Sequence, residues 1–139
     1  TLASSDARIS FGFRQVGLSV DSGTSHLLPR IVGESVAKEL VYTGELVESD
    51  RAVDLGLFNH VYPEDEFEER AGDLVAEIAN GPTVALAASK RLIESGPGRD
   101  LDAAIEAEAS ALEETIASED HSEGARAFAE GRDPEFEGR

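Results

Sequence analysis

The sequence predicts an α/β fold in which a few short strands are followed by a run of helices. Residues 7–13 place Ile9, Phe11 and Phe13 on one face, which is the two-residue period of a β-strand. A further strand is expected over 57–61, and most of the remaining chain has the apolar spacing of helices. The few predicted strands form too small a sheet for a complete α/β domain. We therefore expect this chain to be the second half of a larger domain.

A turn and a short helix are predicted directly after the first strand. Gly17 allows the backbone to turn, and Asp21 and Ser22 are residue types that cap helices. The segment that continues from them, SGTSHLL, is therefore expected to form a short helix that ends before Pro29.

The stretch from residue 34 to residue 63 predicts a helix, an extended piece, a second helix and a strand. Residues 34–42 have one apolar helical stripe, formed by Val36, Ala37, Leu40 and Val41. Beyond the extended piece, a small helix is expected to start at Ser49 and to end at Gly56. The strand over 57–61 follows.

Helices are predicted over most of the remaining chain. Residues 64–81 carry an amphipathic stripe composed of Phe67, Ala71, Leu74, Val75 and Ile78. Residues 82–96 begin with a proline, expected at the first helical position, and end at a glycine. Residues 99–120 carry a longer stripe composed of Leu101, Ile105, Ala109, Leu112 and Ile116. A last short helix is expected over 121–132, before an extended tail.

Negative charge is the dominant feature of the composition. The chain has 29 acidic and 12 basic residues, for a formal net charge of −17. Such a surface repels nucleic acids and anionic membranes, so neither is an expected partner. We interpret the charge as a halophilic adaptation, in which dense carboxylates keep the surface hydrated in high salt. An acidic interaction module is the alternative.

Composition also excludes or disfavours several kinds of site and location. The absence of cysteine excludes disulfides and thiolate zinc sites. No apolar run reaches the roughly 18 residues of a membrane helix, and no signal peptide opens the chain. We therefore expect a cytoplasmic protein. The three histidines have no metal-ligand spacing and are expected at surface or half-buried positions, namely His26, His60 and His121.

Three collinear stretches resemble one family of enzymes. They read ARISFGFRQVGLSVDSGTSHLLPRIVG, ELVYTGELVESDRAVDLGLFNHVYP and EGARAFAEGRDPEF. In order and spacing they are similar to the C-terminal half of the crotonase superfamily, which comprises the enoyl-CoA hydratases and isomerases. The resemblance covers essentially the whole chain.

The resemblance implies the C-terminal part of a crotonase-like ββα spiral fold over residues 1–63, followed by a helical trimerisation region over 64–139. Members bind an acyl-CoA thioester as substrate, so coenzyme A is part of the substrate and neither a cofactor nor a metal is expected. Two backbone amides from the N-terminal half hold the thioester oxygen as it becomes an enolate. A homotrimer or hexamer is implied, with the N-terminal half as a further expected partner.

The resemblance implies that Asp21 is the acid–base residue. Hydratases of the family usually carry a glutamate four residues before the glycine of GLSVD, where this chain has Phe13, and a phenyl ring cannot activate water. Asp21 is similar instead to the proton-carrying aspartate of dienoyl-CoA isomerases and of the ring-epoxide isomerase of phenylacetyl-CoA breakdown. Phe13 and Val16 are expected to line the acyl pocket.

A structural role for Asp21 is the alternative. An aspartate at a turn before a helix is more often an N-cap, which stabilises the helix by about 1 kcal/mol. The two roles are compatible, because a cap position favours the ionised form of a base.

Two residues near the C-terminus are candidates for contact with coenzyme A. The family often has a phenylalanine and then a lysine there, which in some members reach the ligand across a subunit boundary. Phe128 matches the phenylalanine, whereas Gly131 stands at the lysine position with Arg132 beside it. Arg132 is expected to pair with a phosphate; a solvated tail cation is the alternative.

Two functions are therefore compatible with the sequence. The first is an acyl-CoA isomerase or hydratase, and the second is a non-catalytic truncated fragment or assembly subunit that retains the trimer-forming helices. We expect the isolated chain to leave Ile9, Phe11 and Phe13 without a covering layer, and therefore to associate and to show no turnover.

Overall fold

The structure, a computed structural model, describes all of residues 1–139 and contains four short strands and seven α-helices. The strands are β1 (Leu2–Ser4), β2 (Arg8–Ser10), β3 (Leu46–Glu48) and β4 (His60–Tyr62). The helices are α1 (Thr24–Val32), α2 (Glu34–Thr43), α3 (Ser49–Asp54), α4 (Phe67–Ala79), α5 (Thr83–Ser95), α6 (Leu101–Ile116) and α7 (Glu119–Glu130). The chain divides into two compact units, Thr1–Asp73 and Leu74–Arg139.

The strands of the first unit form two separate two-stranded sheets. Strand β1 pairs in parallel with β4, with Ala3 opposite Val61. Strand β2 pairs antiparallel with β3, with Ile9 opposite Val47. Each pair joins residues that are far apart in sequence, so the sheets tie the start of the chain to the segment that follows α2.

The core of the first unit is small and apolar. Leu40 and Val47 are its largest fully buried side chains, and each is almost completely removed from water. Burial of a side chain of this size contributes on the order of 1.5–3 kcal/mol to folding. The other buried members of this cluster are Ala3, Leu28, Ala37, Ala52 and Phe58.

The predicted strand over 7–13 is wrong beyond Ser10. Gly12–Val16 form a 3-10 helix, which ends at Gly17 with φ +71° and is closed by a hydrogen bond from the Leu18 N–H to the Phe13 carbonyl. The left-handed conformation at Gly17 reverses the direction of the chain. The strand that the alternating apolar pattern predicts therefore ends early. Phe13 therefore lies on a helical turn and not on a sheet face.

The apolar patch predicted for the start of the chain is also not observed. Ile9 and Phe11 are half-buried and pack against the core cluster, and Phe13 is half-buried as well. Packing of Ile9 and Phe11 against the core cluster, which includes Val47 of β3, supplies a cover that the pattern in the sequence alone did not reveal.

Helix α1 differs from its prediction at both ends. It starts at Thr24, after Gly23, and no side chain caps it, so neither Asp21 nor Ser22 is the N-cap. It also continues through Pro29 to Val32. Burial of Leu28 in the core outweighs the loss of one main-chain hydrogen bond at the proline.

The order of the predicted elements between residues 34 and 62 is confirmed, but the strand predicted over 57–61 begins only at His60, because the turn that ends α3 extends through residues 55–59. Helix α2 buries Ala37 and Leu40, and β3, α3 and β4 follow in the expected order. Gly56 has φ +74° directly after the last residues of α3, which is the expected glycine terminator.

The second unit consists of helices and an extended tail. The predicted helices are confirmed with two differences in their bounds. Pro82 is the N-cap of α5 and not its first residue, and the helix predicted over 99–120 ends at Ile116, because Ser118 caps α7 and residues 119 and 120 belong to that helix. Helices α5 and α6 pack together, with Ala88 buried and an ion pair of 2.7 Å between Arg91 and Glu114. None of the seven helices has both the length and the apolar composition needed to span a membrane.

The large apolar residues of α6 are exposed within this chain. Its smaller residues, mostly alanines, lie on the half-buried face. An exposed apolar stripe of this length is typical of a helix that is covered by another surface in an assembly. Its exposed members are Leu101, Ile105, Leu112 and Ile116.

Candidate active site

Asp21 lies in a tight turn between the 3-10 helix and α1. The Thr24 N–H donates to the Asp21 carbonyl at 2.8 Å, and the two residues between them both have positive φ, +51° at Ser22 and +80° at Gly23. This is the pattern of a type I′ turn. The Asp21 carboxylate is exposed and does not cap α1, so it is available to a ligand.

The backbone beside Asp21 is strained. Ser22 is the only non-glycine residue of the chain with positive φ. Left-handed conformations of such residues cost of order 1–3 kcal/mol and cluster at functional sites. The strained conformation at Ser22 therefore makes this turn a candidate functional element.

The two predicted pocket residues, Phe13 and Val16, lie on the 3-10 helix that precedes this turn. Phe13 is half-buried, whereas Val16 is 73% exposed and is followed by the exposed Leu18. The segment therefore presents apolar side chains and then a carboxylate. That combination suits an apolar acyl chain next to a group that moves protons.

An apolar cavity adjoins the same segment, and sequence analysis did not identify it. Its volume is about 270 Å³, and it lies between α1 and α2, with Val20, Leu28 and Val41 among its lining residues. Lys38 and Glu34, which form an ion pair of 2.5 Å, border it. Val20 immediately precedes Asp21 and thus links the cavity to the turn. The apolar stripe of α2 was the only signal of this cavity in the sequence.

The histidines are exposed, as predicted. His26 lies in the first turn of α1, where its carbonyl accepts a hydrogen bond of 2.6 Å from Arg30. No group of three or more His, Asp or Glu side chains has the arrangement of a metal site.

The other two predicted residues lie in the second unit. Phe128 is 90% exposed near the end of α7, which terminates at Gly131 with φ +68°. Arg132 follows this turn. A role of these two residues in binding coenzyme A stays a prediction.

Arg132 is held by two carboxylates of its own chain. Its Nη1 lies 2.6 Å from Glu123 Oε1, and its Nε lies 2.7 Å from Glu130 Oε2. These hydrogen bonds raise the pKa of the Arg132 guanidinium. A phosphate would have to compete with both carboxylates for the same donors.

Glu123 is the centre of this cluster. Hydrogen bonds from Arg132, from the Glu135 N–H and from Arg126 lower the pKa of the Glu123 carboxyl to about 2. Sequence analysis did not single out this residue, because one glutamate is not distinctive among 29 acidic residues. The only available signal was its spacing of three residues from both Asp120 and Arg126 on one helix.

Comparison with protein families gives a match over the whole chain. The profile described as "Enoyl-CoA hydratase/isomerase" matches residues 1–139. Among curated relatives, a short-chain-enoyl-CoA hydratase of Clostridium acetobutylicum is 35% identical over 133 residues, which is 94% of this chain and 50% of the relative. A crotonyl-CoA hydratase of Syntrophomonas wolfei is 34% identical over 137 residues, which is 97% of this chain and 52% of the relative.

Solved structures agree with this match. An enoyl-CoA hydratase from Bacillus anthracis superposes with a TM-score of 0.93 at 31% identity, over 99% of this chain and 54% of the other. An enoyl-CoA hydratase from Mycobacterium tuberculosis gives 0.91 at 30% identity, over 99% and 55%. The chain spans about half the length of the relatives it matches.

Proposed function

The chain belongs to the enoyl-CoA hydratase/isomerase family and has part of the crotonase-like fold, and from this we propose that it contributes to an acyl-CoA isomerase or hydratase in which Asp21 is the acid–base residue. The observation that carries the proposal is the free, exposed carboxylate of Asp21, presented by a strained turn. Exposed apolar residues and an apolar cavity on the same segment support an acyl substrate.

The chemistry requires a base and a site for negative charge. A carboxylate removes a proton from a carbon next to the thioester or its conjugated double bond, and the electrons move to the thioester oxygen. Preset backbone N–H groups stabilise that oxyanion strongly. Asp21 then returns the proton to another carbon, which completes a double-bond shift without any net change in composition. Under this proposal the oxyanion amides come from the N-terminal half of the family fold.

Isomerisation is favoured over hydration. Hydration requires a group that activates water, and the position at which hydratases usually carry a glutamate is occupied by Phe13. The half-buried phenyl ring contributes only apolar surface. We therefore propose the branch that resembles dienoyl-CoA isomerases and the ring-epoxide isomerase of phenylacetyl-CoA breakdown, with roles in fatty acid or phenylacetate metabolism.

Binding and assembly complete the proposal. Phe13 and Val16 contact the acyl group, and Phe128 contacts coenzyme A. Arg132, which the sequence predicted as a phosphate ligand, already donates to Glu123 and Glu130, so no substrate contact is proposed for it. The exposed apolar stripe of α6 supports a homotrimer or hexamer formed by the helices of the second unit. We also propose a cytoplasmic location and adaptation of the acidic surface to high salt.

The proposal is tested by Asp21→Asn in the complete protein. We expect isomerisation of enoyl-CoA thioesters to fall by at least about 100-fold, because the amide cannot accept the proton, whereas binding of the acyl-CoA persists. Asp54→Asn is the matched control, because Asp54 is exposed at the end of α3 and forms no ion pair. Undiminished turnover in Asp21→Asn would refute the role of Asp21.

An assembly role is the second candidate, favoured by the exposed apolar helices. The same experiment separates the two functions. If the complete parent protein binds no acyl-CoA and turns over none of the tested thioesters, yet forms a defined oligomer, the assembly role replaces the enzymatic one.

A further inference from the structure

The C-terminal segment, residues 131–139, folds back on α7 and is held there by carboxylates of this helix. Asp120 is only 3% exposed and accepts hydrogen bonds from the N–H groups of Glu137, at 2.8 Å, and Gly138, at 3.0 Å. Its own N–H donates to the Arg139 carbonyl at 3.0 Å. A buried carboxylate without such partners is strongly destabilising, so these bonds fix the end of the segment.

Glu123 fixes the beginning of the same segment. Its carboxylate accepts hydrogen bonds from Arg132, at 2.6 Å, and from the Glu135 N–H, at 3.1 Å, and it also pairs with Arg126. Asp120 and Glu123 are three residues apart and therefore lie on one face of α7. Together they hold the segment near both of its ends.

Apolar and backbone packing reinforces this arrangement. The Phe136 ring lies against Gly124, where an added Cβ would be 3.5 Å from a ring carbon. Gly138 has φ +77°, and an added Cβ there would be 2.5 Å from Thr83 Oγ1 at the start of α5. The segment thus requires glycine at its closest approach to α5.

Phe128 stands directly beside the anchored backbone. The preceding residue, Ala127, is 1% exposed, and its carbonyl accepts a hydrogen bond of 3.1 Å from the Arg132 N–H. The Phe128 carbonyl accepts one of 3.3 Å from Gly131. The ring therefore projects into solvent from a backbone whose position is fixed on both sides, an arrangement that reduces the entropic cost of binding a ligand.

We propose that Asp120 and Glu123 form a clamp that positions Phe128 for contact with the coenzyme A part of the substrate. Arg132 links the C-terminal segment to α7 through its ion pairs with Glu123 and Glu130. The inference rests on the proposed function, which assigns the contact to Phe128. Asp120 and Glu123 are positioning residues, since they act through the C-terminal segment and not on the substrate. The two ion pairs of Arg132 are the reason to assign it to the clamp and not to a phosphate.

The first test is Asp120→Asn in the complete protein. The variant keeps the shape of the side chain but replaces one acceptor oxygen by a donor, opposite the N–H groups of Glu137 and Gly138. We expect faster hydrogen–deuterium exchange of these two amides, and a rise of about tenfold in KM for acyl-CoA with kcat unchanged. Glu108→Gln is the control, because Glu108 is exposed on α6 and forms no ion pair. If Asp120→Asn does not fold, Glu123→Gln carries the same test.

A double variant separates positioning from a structural effect. Phe128→Ala should raise KM, and adding Asp120→Asn to it should raise KM no further, because the clamp acts through the missing ring. Unchanged amide exchange in Asp120→Asn would refute the clamp. If Asp120→Asn shows faster amide exchange but an unchanged KM, and Phe128→Ala raises KM, then Phe128 contacts the substrate but the clamp does not position it. Unchanged KM in Phe128→Ala would refute that contact and the positioning together, without bearing on Asp21.

Discussion

At the scale of single residues, Ser22 is the clearest sign that the turn before α1 is specialised. Its φ of +51° is unfavourable for any residue with a Cβ, and more so for a β-branched one. We expect Ser22→Val to lower the free energy of unfolding by about 1–2 kcal/mol. Ser22→Gly, which accepts this conformation, should remain close to the parent. Urea unfolding measures both, and equal stability of the two variants would contradict the strained turn.

Asp21 shows what a sequence can and cannot reveal about one residue. Its importance was predicted from a resemblance, but its expected role as an N-cap was wrong. Ser22 and Gly23 take left-handed conformations, so α1 begins only at Thr24 and the carboxylate is left free. Short-range propensity favoured the cap, and the turn geometry that overrides it has no clear signal in the residue types.

At the scale of elements, the clamp on α7 should make stability sensitive to acid. The pKa of Glu123 is about 2 in the folded chain, below its ordinary value of 4.5. The stabilisation that the ionised Glu123 carboxylate contributes is therefore fully present above pH 4.5 and is lost as the pH falls from 4.5 towards 2. The other charged groups around it are Arg126, Arg132, Glu119, Asp120, Glu130, Glu135, Glu137 and Arg139.

We therefore expect Glu123→Gln to be less stable than the parent at neutral pH and equal to it near pH 2. Thermal unfolding measured between pH 2 and pH 7 checks this, with Glu108→Gln as a control that should follow the parent curve. Some acid sensitivity should persist in Glu123→Gln, since Lys38 also lowers the pKa of Glu34. A difference in thermal stability between the parent and Glu123→Gln that does not depend on pH would contradict the lowered pKa of Glu123.

The elements predicted most accurately are those whose regularly spaced apolar residues face the core of their own unit. Helix α2 is an example, because its stripe faces the core of its own unit. The strand at 7–13 failed beyond Ser10 because a glycine-dependent turn overrides the alternation. The clamp was not predictable, because Asp120 and Glu123 differ from other acidic residues only in what the folded C-terminal segment brings to them.

At the scale of the whole molecule, unbalanced charge should make stability depend on salt. Eleven of the 29 acidic residues form ion pairs, so most carboxylates have no neutralising partner. The Debye length falls to about 3 Å at 1 M salt, which removes most repulsion between them. We expect the melting temperature to rise into the molar range of potassium chloride, and the rise to be smaller when Glu106, Glu108 and Glu113 are replaced by glutamine. A melting temperature that is flat or falls with salt would contradict the adaptation.

The central claim is that Asp21 moves a proton at a carbon of an acyl-CoA thioester. Its most direct test is the exchange of substrate protons in deuterated water, followed by nuclear magnetic resonance on the complete protein. The parent should incorporate deuterium into the acyl chain, and Asp21→Asn should lose at least about 100-fold of that exchange rate while still binding the thioester. Deuterium incorporation at the parent rate in Asp21→Asn would contradict the account.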